Sequence, residues 1–87
     1  MGLTLLIYNL STIENKYFKY AIHIPMILDF HYVRQWMSTT YGYSDTYNEE
    51  KMPNEHWAFM IKLSRYVVYL KSEEELTWFK IKHGESL

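Results

Sequence analysis

The chain of 87 residues contains no cysteine, only three glycines and two prolines, and no large excess of charge of either sign. Without cysteine, neither a disulfide nor a thiolate metal site can support so short a chain. The three glycines lie far apart in the sequence, which excludes a glycine-rich phosphate-binding loop. Because the net charge is −1, the chain also lacks the basic footprint of a nucleic-acid-binding domain.

Long hydrophobic runs are absent as well. No apolar run approaches the ~20 residues that a membrane helix needs, so the sequence predicts a cytoplasmic protein without membrane contact. Its length predicts a single domain over residues 1–87. Nine tyrosines contribute to an aromatic content of 18%, which supplies the bulk of a small core. A chain so rich in aromatic residues has apolar surface to cover, and we therefore expect a homodimer.

The first part of the chain predicts two strands. "LTLLIYN" (residues 3–9) is rich in leucine and isoleucine and reads as a strand. "STIE" (residues 11–14) has the pattern of a capping box and predicts a short helical turn. "YFKYAIHI" (residues 17–24) alternates as a half-buried strand does. The residues expected on its buried side are Phe18, Tyr20, Ile22 and Ile24.

A helix is predicted next, in "LDFHYVRQWMSTTYG" (residues 28–42). Asp29 is the expected N-cap, because its carboxylate can accept a hydrogen bond from the first helical turn. Gly42 is the expected terminator, in the left-handed αL conformation. The residues at helical spacing that predict the buried stripe are Phe30, Val33, Met37 and Tyr41.

The last part of the chain predicts a β-hairpin and a helix. "HWAFMIKLSRYVVYLK" (residues 56–71) alternates on both sides of an expected two-residue turn at Ser64 and Arg65. "SEEELTWFKIKHG" (residues 72–84) opens with a capping box formed by Ser72 and Glu75, although "LTWFKI" also favours a strand. The predicted order is β-β-α-β-β-α, an α+β fold in which one antiparallel sheet packs against two helices.

One segment resembles a known group of proteins. In "YVVYLKSEEELTWFKIKHG" (residues 66–84), a strand ending in lysine leads into an acidic helix start and then an aromatic-Phe-Lys segment. This segment is similar to the C-terminal part of many small tailed-phage proteins. The resemblance implies a phage accessory protein, and such proteins often bind and disable host proteins, including defence systems. It carries no catalytic or binding residue over to this chain.

The residues that catalysis or metal binding would need are not arranged for either. No serine lies in a G-x-S-x-G motif. The four histidines form no H-x-H or H-x-x-x-H pair. Glycosidase chemistry needs two carboxylates on rigid elements, whereas the acidic residues between positions 45 and 55 lie in a predicted loop. The sequence therefore predicts a protein that is not an enzyme and has no cofactor or metal.

The stretch "TTYGYSDTYNEEKMPNEHW" (residues 39–57) is the leading candidate for function. Tyrosine buries a large amphipathic surface while ordering only two side-chain torsions, so binding loops use it together with serine and glycine. Four acidic residues in the stretch would attract a basic partner surface. The end of the preceding helix joins the predicted surface. The partner-binding residues predicted from the sequence are Arg34, Gln35, Tyr41, Tyr43, Asp45, Tyr47, Glu49, Glu50 and Glu55.

The alternative hypothesis is a single-stranded nucleic-acid binder that uses the second face of the sheet. Aromatic residues interleaved with lysines can stack bases and hold phosphates. Lysine and tyrosine on a small sheet also have a simpler interpretation, as solvated cross-strand pairs. The residues of this alternative site are Tyr17, Lys19, Lys62, Tyr69 and Lys71.

Overall fold

The computed structural model describes residues 6–10, 17–46, 54–62 and 65–83. The elements in chain order are β1 (Leu6–Asn9), β2 (Tyr20–Ile24), α1 (Ile27–Tyr41), β3 (Trp57–Lys62), β4 (Arg65–Leu70) and α2 (Glu73–His83). This confirms the α+β fold and the predicted element order. The structure also shows that the last segment forms a helix and not a strand. The predicted capping box at residues 11–14, and the predicted strand start at residues 3–5, lie outside the described residues.

The described strands form one antiparallel sheet in the order β1-β2-β4-β3. In the hairpin, Trp57 pairs with Leu70 and Lys62 pairs with Arg65. Arg65 therefore belongs to β4, and the turn predicted at Ser64 and Arg65 is wrong by one residue. No glycine or asparagine marks the turn, so its position had no local signal. The alternation predicted for the hairpin nevertheless agrees with the structure, because Trp57 and Phe59 lie on the core side of the sheet together with their partners Leu70 and Val68.

Both helices pack on one face of the sheet and enclose a hydrophobic core with it. α1 contributes Phe30, Val33 and Met37, which confirms the stripe predicted from helical spacing. Phe30 lies at the centre, with its ring centroid 6.0 Å from that of Phe59 and 5.2 Å from that of Tyr66. The remaining residues of the core cluster are Tyr20, Ile22, Ile24, Trp57, Val68, Leu70, Leu76 and Phe79.

The two helices lie side by side and run in opposite directions. The ring of Tyr32, near the start of α1, is 6.1 Å from that of His83 at the end of α2. One turn further along α1, Trp36 is 6.4 Å from Phe79. Aromatic side chains therefore form the contact between the two helices. Neither helix in the described part of the chain is long and apolar enough to cross a membrane.

Two further local predictions, for Phe18 and Asp29, are wrong. Phe18 is buried, but its ring lies 6.0 Å from that of Tyr69, on the face away from the helices. The reason is that β2 begins only at Tyr20, so the alternation does not extend back through a bent segment. Asp29 is not the N-cap, because α1 begins at Ile27 and its N-cap residue is Met26. Asp29 instead lies in the first turn, where its negative charge favours the helix dipole.

Candidate functional site: a pinned tyrosine loop

Gly42 ends α1 and directs the chain towards β3. Its amide donates to the carbonyl oxygen of Ser38 at 3.0 Å, and its backbone has φ 97° and ψ 166°. This combination of positive φ and extended ψ is open essentially to glycine alone. The sequence correctly predicted a glycine terminator, but the conformation is not the αL one expected. The extended ψ turns the chain away from the helix axis and along the edge of the sheet.

Residues 42–46, which we call the pinned loop, run beside β3. The indole Nε1 of Trp57 donates to the carbonyl oxygen of Gly42 at 2.9 Å. The buried hydroxyl of Ser44 donates to the carbonyl oxygen of Trp57 at 2.7 Å. Thr46 forms an isolated parallel bridge with Phe59. Contacts to Trp57 and Phe59 of β3 therefore fix the path of this loop.

Asn54 holds the pinned loop from the other end of the polar stretch. Its side-chain Nδ2 lies 3.2 Å, 3.4 Å and 3.1 Å from the carbonyl oxygens of Tyr41, Gly42 and Tyr43. Its Oδ1 accepts a hydrogen bond from the amide of His56 at 2.8 Å. Because an amide group has two N–H donors, these carbonyls share them. Residues 41–43 and 54–56 are thus tied together.

Tyr43 projects from this fixed backbone and is 76% exposed. Asp45 lies close by on the same segment and is exposed. Its carboxylate accepts hydrogen bonds from the amide of Thr46 at 2.7 Å and from the threonine hydroxyl at 3.3 Å. Glu55 is exposed next to the Asn54 contact. The loop therefore presents a large aromatic side chain among negative charges.

Tyr41 belongs to the scaffold of the loop. Its ring stacks on that of His56 at 5.0 Å and packs against the core. Burial, and then the nearby carboxylates of Glu75 and Glu74, raise the pKa of Tyr41. Its hydroxyl is buried without a hydrogen-bond partner in the described part of the chain. The structure therefore separates Tyr41 from Tyr43, although the sequence grouped them as one surface.

A second set of contacts ties His56, just before β3, to α2. Glu75 is only 4% exposed, and its Oε2 lies 3.1 Å from Nδ1 of His56. Its Oε1 accepts hydrogen bonds from the amide of Ser72 at 2.8 Å and from the Ser72 hydroxyl. Burial alone raises the pKa of Glu75, but the hydrogen bonds from Ser72 and His56 outweigh it and hold the pKa below its ordinary value. The contact from the Glu75 carboxylate to the Ser72 amide is one half of the predicted capping box, and the Ser72 hydroxyl and His56 add two further contacts to the same carboxylate.

This set contains a serine, a histidine and a carboxylate, but in the wrong order for nucleophilic catalysis. In a catalytic triad the histidine lies between the serine and the acid, so that it can take the serine proton. Here Glu75 lies between Ser72 and His56. The serine hydroxyl is held at a helix start by a carboxylate, and the arrangement acts as a brace between α2 and the chain before β3.

The other predicted partner-binding residues divide into two groups. The Arg34 guanidinium lies 4.2 Å from the ring centroid of Phe59, the residue whose backbone bridges to Thr46. Arg34 is therefore next to the pinned loop. Gln35 is exposed on α1, and its carbonyl oxygen accepts a hydrogen bond from Thr39. Predicted residues outside the described part of the chain are Tyr47, Glu49 and Glu50.

The residues of the alternative site are split between two ends of the sheet. The amide of Lys19 donates to the carbonyl oxygen of Leu70, so Lys19 and Lys71 lie at the same end, and both are exposed. Lys62 pairs with Arg65 at the opposite end of the hairpin. Five residue steps along a strand separate these ends by about 17 Å. The described structure gives no continuous basic path between them.

Of the aromatic members of the alternative site, Tyr69 takes part in packing. Tyr69 lies 6.0 Å from Phe18, and its hydroxyl donates to the sulfur of Met60 at 3.9 Å. Tyr17 is partly exposed in the bent segment before β2. Base stacking would require the face of an aromatic ring to be accessible, and the half-buried Tyr69 offers little of its ring.

Among the described residues, no group of three or more histidine and carboxylate side chains is placed to hold a metal ion. Comparison with protein-family models, with curated proteins and with solved structures finds no match to this chain. The site therefore has to be interpreted from its own geometry.

The sequence did not single out Asn54, Ser44 or the indole of Trp57 as parts of the site. Their contacts join residues 11 to 15 positions apart. The available signal was composition alone: an asparagine and a tryptophan at the end of a long polar stretch. Among all the contacts of the site, only the one between Ser72 and Glu75 had a local sequence pattern.

Proposed function

We propose that this chain is a non-enzymatic protein-recognition module whose contact surface is centred on Tyr43 in the pinned loop. The observation that carries the proposal is that a 76% exposed tyrosine stands on a backbone held at Tyr41, Gly42 and Tyr43 by a single asparagine. An aromatic side chain on a fixed backbone loses little conformational entropy on binding. Exposed tyrosines of this kind are the usual anchors of protein interfaces.

The charges around Tyr43 define the complementary partner. Asp45 and Glu55 are exposed near the anchor, so the favoured partner offers an apolar pocket rimmed by lysine or arginine. Arg34 lies at the β3 side of the loop, stacked on Phe59, and marks one boundary of the acidic area. The phage-protein resemblance suggests that the partner is a host protein, which binding would inhibit or redirect.

The test begins with affinity capture using the wild-type chain as bait, followed by mass spectrometry. The dissociation constant of the recovered protein is then measured for Tyr43→Ala and for Tyr8→Ala. Tyr8 is the matched control, because it is an exposed tyrosine on β1, far from the loop in the sheet order. We expect Tyr43→Ala to weaken binding about 30-fold, as loss of an interface anchor does, and Tyr8→Ala to leave it unchanged.

Two results would contradict this proposal. If Tyr43→Ala binds as the wild type does, the pinned loop is not the contact surface. If wild-type protein binds single-stranded oligonucleotides with a steep salt dependence, and if Lys19→Glu with Lys71→Glu abolishes that binding, the alternative hypothesis replaces the proposal.

A further inference from the structure

The outer surface of α2 carries two large apolar side chains that contribute little to the core. Trp78 is 54% exposed and Ile81 is 61% exposed. The opposite side of the same helix is buried through Leu76, Phe79 and His83. A single exposed hydrophobic residue is ordinary on a protein surface, but a tryptophan and an isoleucine one turn apart form a patch.

Two opposite charges lie at equal spacing on either side of Trp78. Glu74 lies four residues before it and Lys82 four residues after it, and both are exposed. Residues spaced by four form one ridge on a helix surface. The ridge therefore reads acid, tryptophan, base, with each charge about 6 Å from the centre along the helix axis.

We propose that α2 is the interface of a two-fold symmetric homodimer, in which the ridge of one chain packs against the same ridge of a second copy. Two such helices run antiparallel when the two-fold axis passes through Trp78. Glu74 of each chain then meets Lys82 of the second copy, and the two tryptophans pack at the centre. A two-fold interface must be self-complementary, and the order of charges on this ridge satisfies that condition.

α1 extends the same surface. Tyr32 is exposed, and the Lys82 ammonium lies 5.9 Å from the centroid of its ring. Leu28, one turn before Tyr32, is also exposed. Two helices of 11 residues are each only about 16 Å long, and a stable interface buries more than about 1,000 Å². The neighbouring surface of α1 supplies the additional area. This inference is independent of the function proposed for Tyr43.

The sharpest test uses two charge reversals, Glu74→Lys and Lys82→Glu. Either change alone puts like charges at both contacts of its homodimer. When the two variants are mixed, each contact of the heterodimer joins opposite charges again. Sedimentation velocity of the full chain over a wide concentration range measures the dimer dissociation constant. We expect each single variant to raise it about tenfold, and the mixture to restore wild-type association.

Matched controls come from the same helix. Glu73→Lys and Lys80→Glu make the same charge changes at the same ends of α2, but these residues lie off the ridge. They reproduce any effect on the helix dipole and should leave dimerisation unchanged. Trp78→Ala should raise the dissociation constant about 30-fold, as loss of a central interface aromatic does. Far-UV circular dichroism confirms that each variant is folded.

Three results would overturn the inference. The first is that the wild-type chain sediments as a monomer at every concentration. The second is that all the ridge variants dimerise as the wild type does. The third is that the mixture of the two charge-reversal variants associates no better than either variant alone. A monomer that loses capture of another protein on Trp78→Ala would assign the ridge to that protein instead.

Discussion

The indole Nε1 of Trp57 lies 2.9 Å from the carbonyl oxygen of Gly42, and this hydrogen bond joins the end of α1 to the start of β3. The two residues are 15 positions apart in the chain. The long polar stretch between them is therefore tied at both of its described ends. This is the structural basis for regarding Tyr43 as a displayed side chain on a fixed support.

Asn54 is expected to be the residue on which that support depends most. Asn54→Asp keeps the oxygen that accepts from the His56 amide, but it removes the donors to three carbonyl groups and places a carboxylate against them. We expect the free energy of unfolding to fall by about 1–3 kcal/mol, measured by denaturant titration. Asn9→Asp, at an exposed strand end, is the control. Equal effects at the two sites would contradict the role assigned to Asn54.

Gly42 provides a test of backbone conformation. A Cβ at this position would meet only the Nδ2 of Asn54 at 3.6 Å, which is an ordinary contact, so substitution is opposed by the backbone rather than by space. Gly42→Ala should lower the free energy of unfolding by about 1–3 kcal/mol. Gly42→Asn should lower it by a similar amount, because asparagine is favoured in the αL region and not at this extended ψ. A neutral Gly42→Asn variant in thermal unfolding would indicate the αL conformation instead.

His83 should make the protein less stable in mild acid. Burial, and then the charge of Lys82, lower the pKa of His83 to about 4. In the unfolded chain a histidine takes up its proton below about pH 6.5. The unfolded state therefore binds more protons between these two values, and the free energy of unfolding falls as the pH is lowered through this window. His83→Phe should flatten the dependence there, whereas His31→Phe, at an exposed site, should not.

The surroundings of His83 predict a second effect of the same substitution. Its Nε2 is buried without a hydrogen-bond partner in the described part of the chain, next to the rings of Tyr32, Trp36 and Phe79. Phenylalanine has no polar atom to leave unsatisfied there. The variant should therefore be at least as stable as the wild type at pH 7. A clear loss of stability would show that His83 has a polar role.

Glu75 should affect the free energy of unfolding at a lower pH than His83 does, and Glu75→Gln tests this. Its pKa is held below the ordinary value because Ser72 and His56 donate to the carboxylate, against the opposing effect of burial. This contribution is complete above the unfolded pKa of about 4.3 and is lost as the pH falls through the lower folded pKa. Glu75→Gln should lower the free energy of unfolding at pH 7 by about 1 kcal/mol. The difference from wild type should shrink below about pH 4, whereas Glu73→Gln should have little effect at either pH.

Much of the fold could be predicted because its signals are local. The alternation in the hairpin, the 3.6-residue spacing of Phe30, Val33 and Met37, and the pair Ser72 and Glu75 each depend on neighbouring residues. The errors arise where a local pattern meets a distant contact. Phe18 continues the alternation of β2 in sequence, yet its ring packs beside Tyr69 on the other face.

The candidate site was predictable only in outline. Composition indicated an acidic tyrosine-rich loop, and Tyr43 is exposed as a contact residue should be. Composition could not separate Tyr43 from Tyr41, because the difference depends on which ring stacks on His56. Nor could it indicate that Asn54 reaches back to three carbonyl groups, since no sequence spacing encodes that contact.

The most direct measurement is hydrogen–deuterium exchange of the full chain with and without its captured partner protein. If Tyr43 on the pinned loop is the contact, binding should slow amide exchange in residues 42–46 and in residues 54–56. Exchange in residues 65–71 of the hairpin should be unchanged. Protection confined to residues 17–23 and 65–71, with none in the pinned loop, would contradict the account.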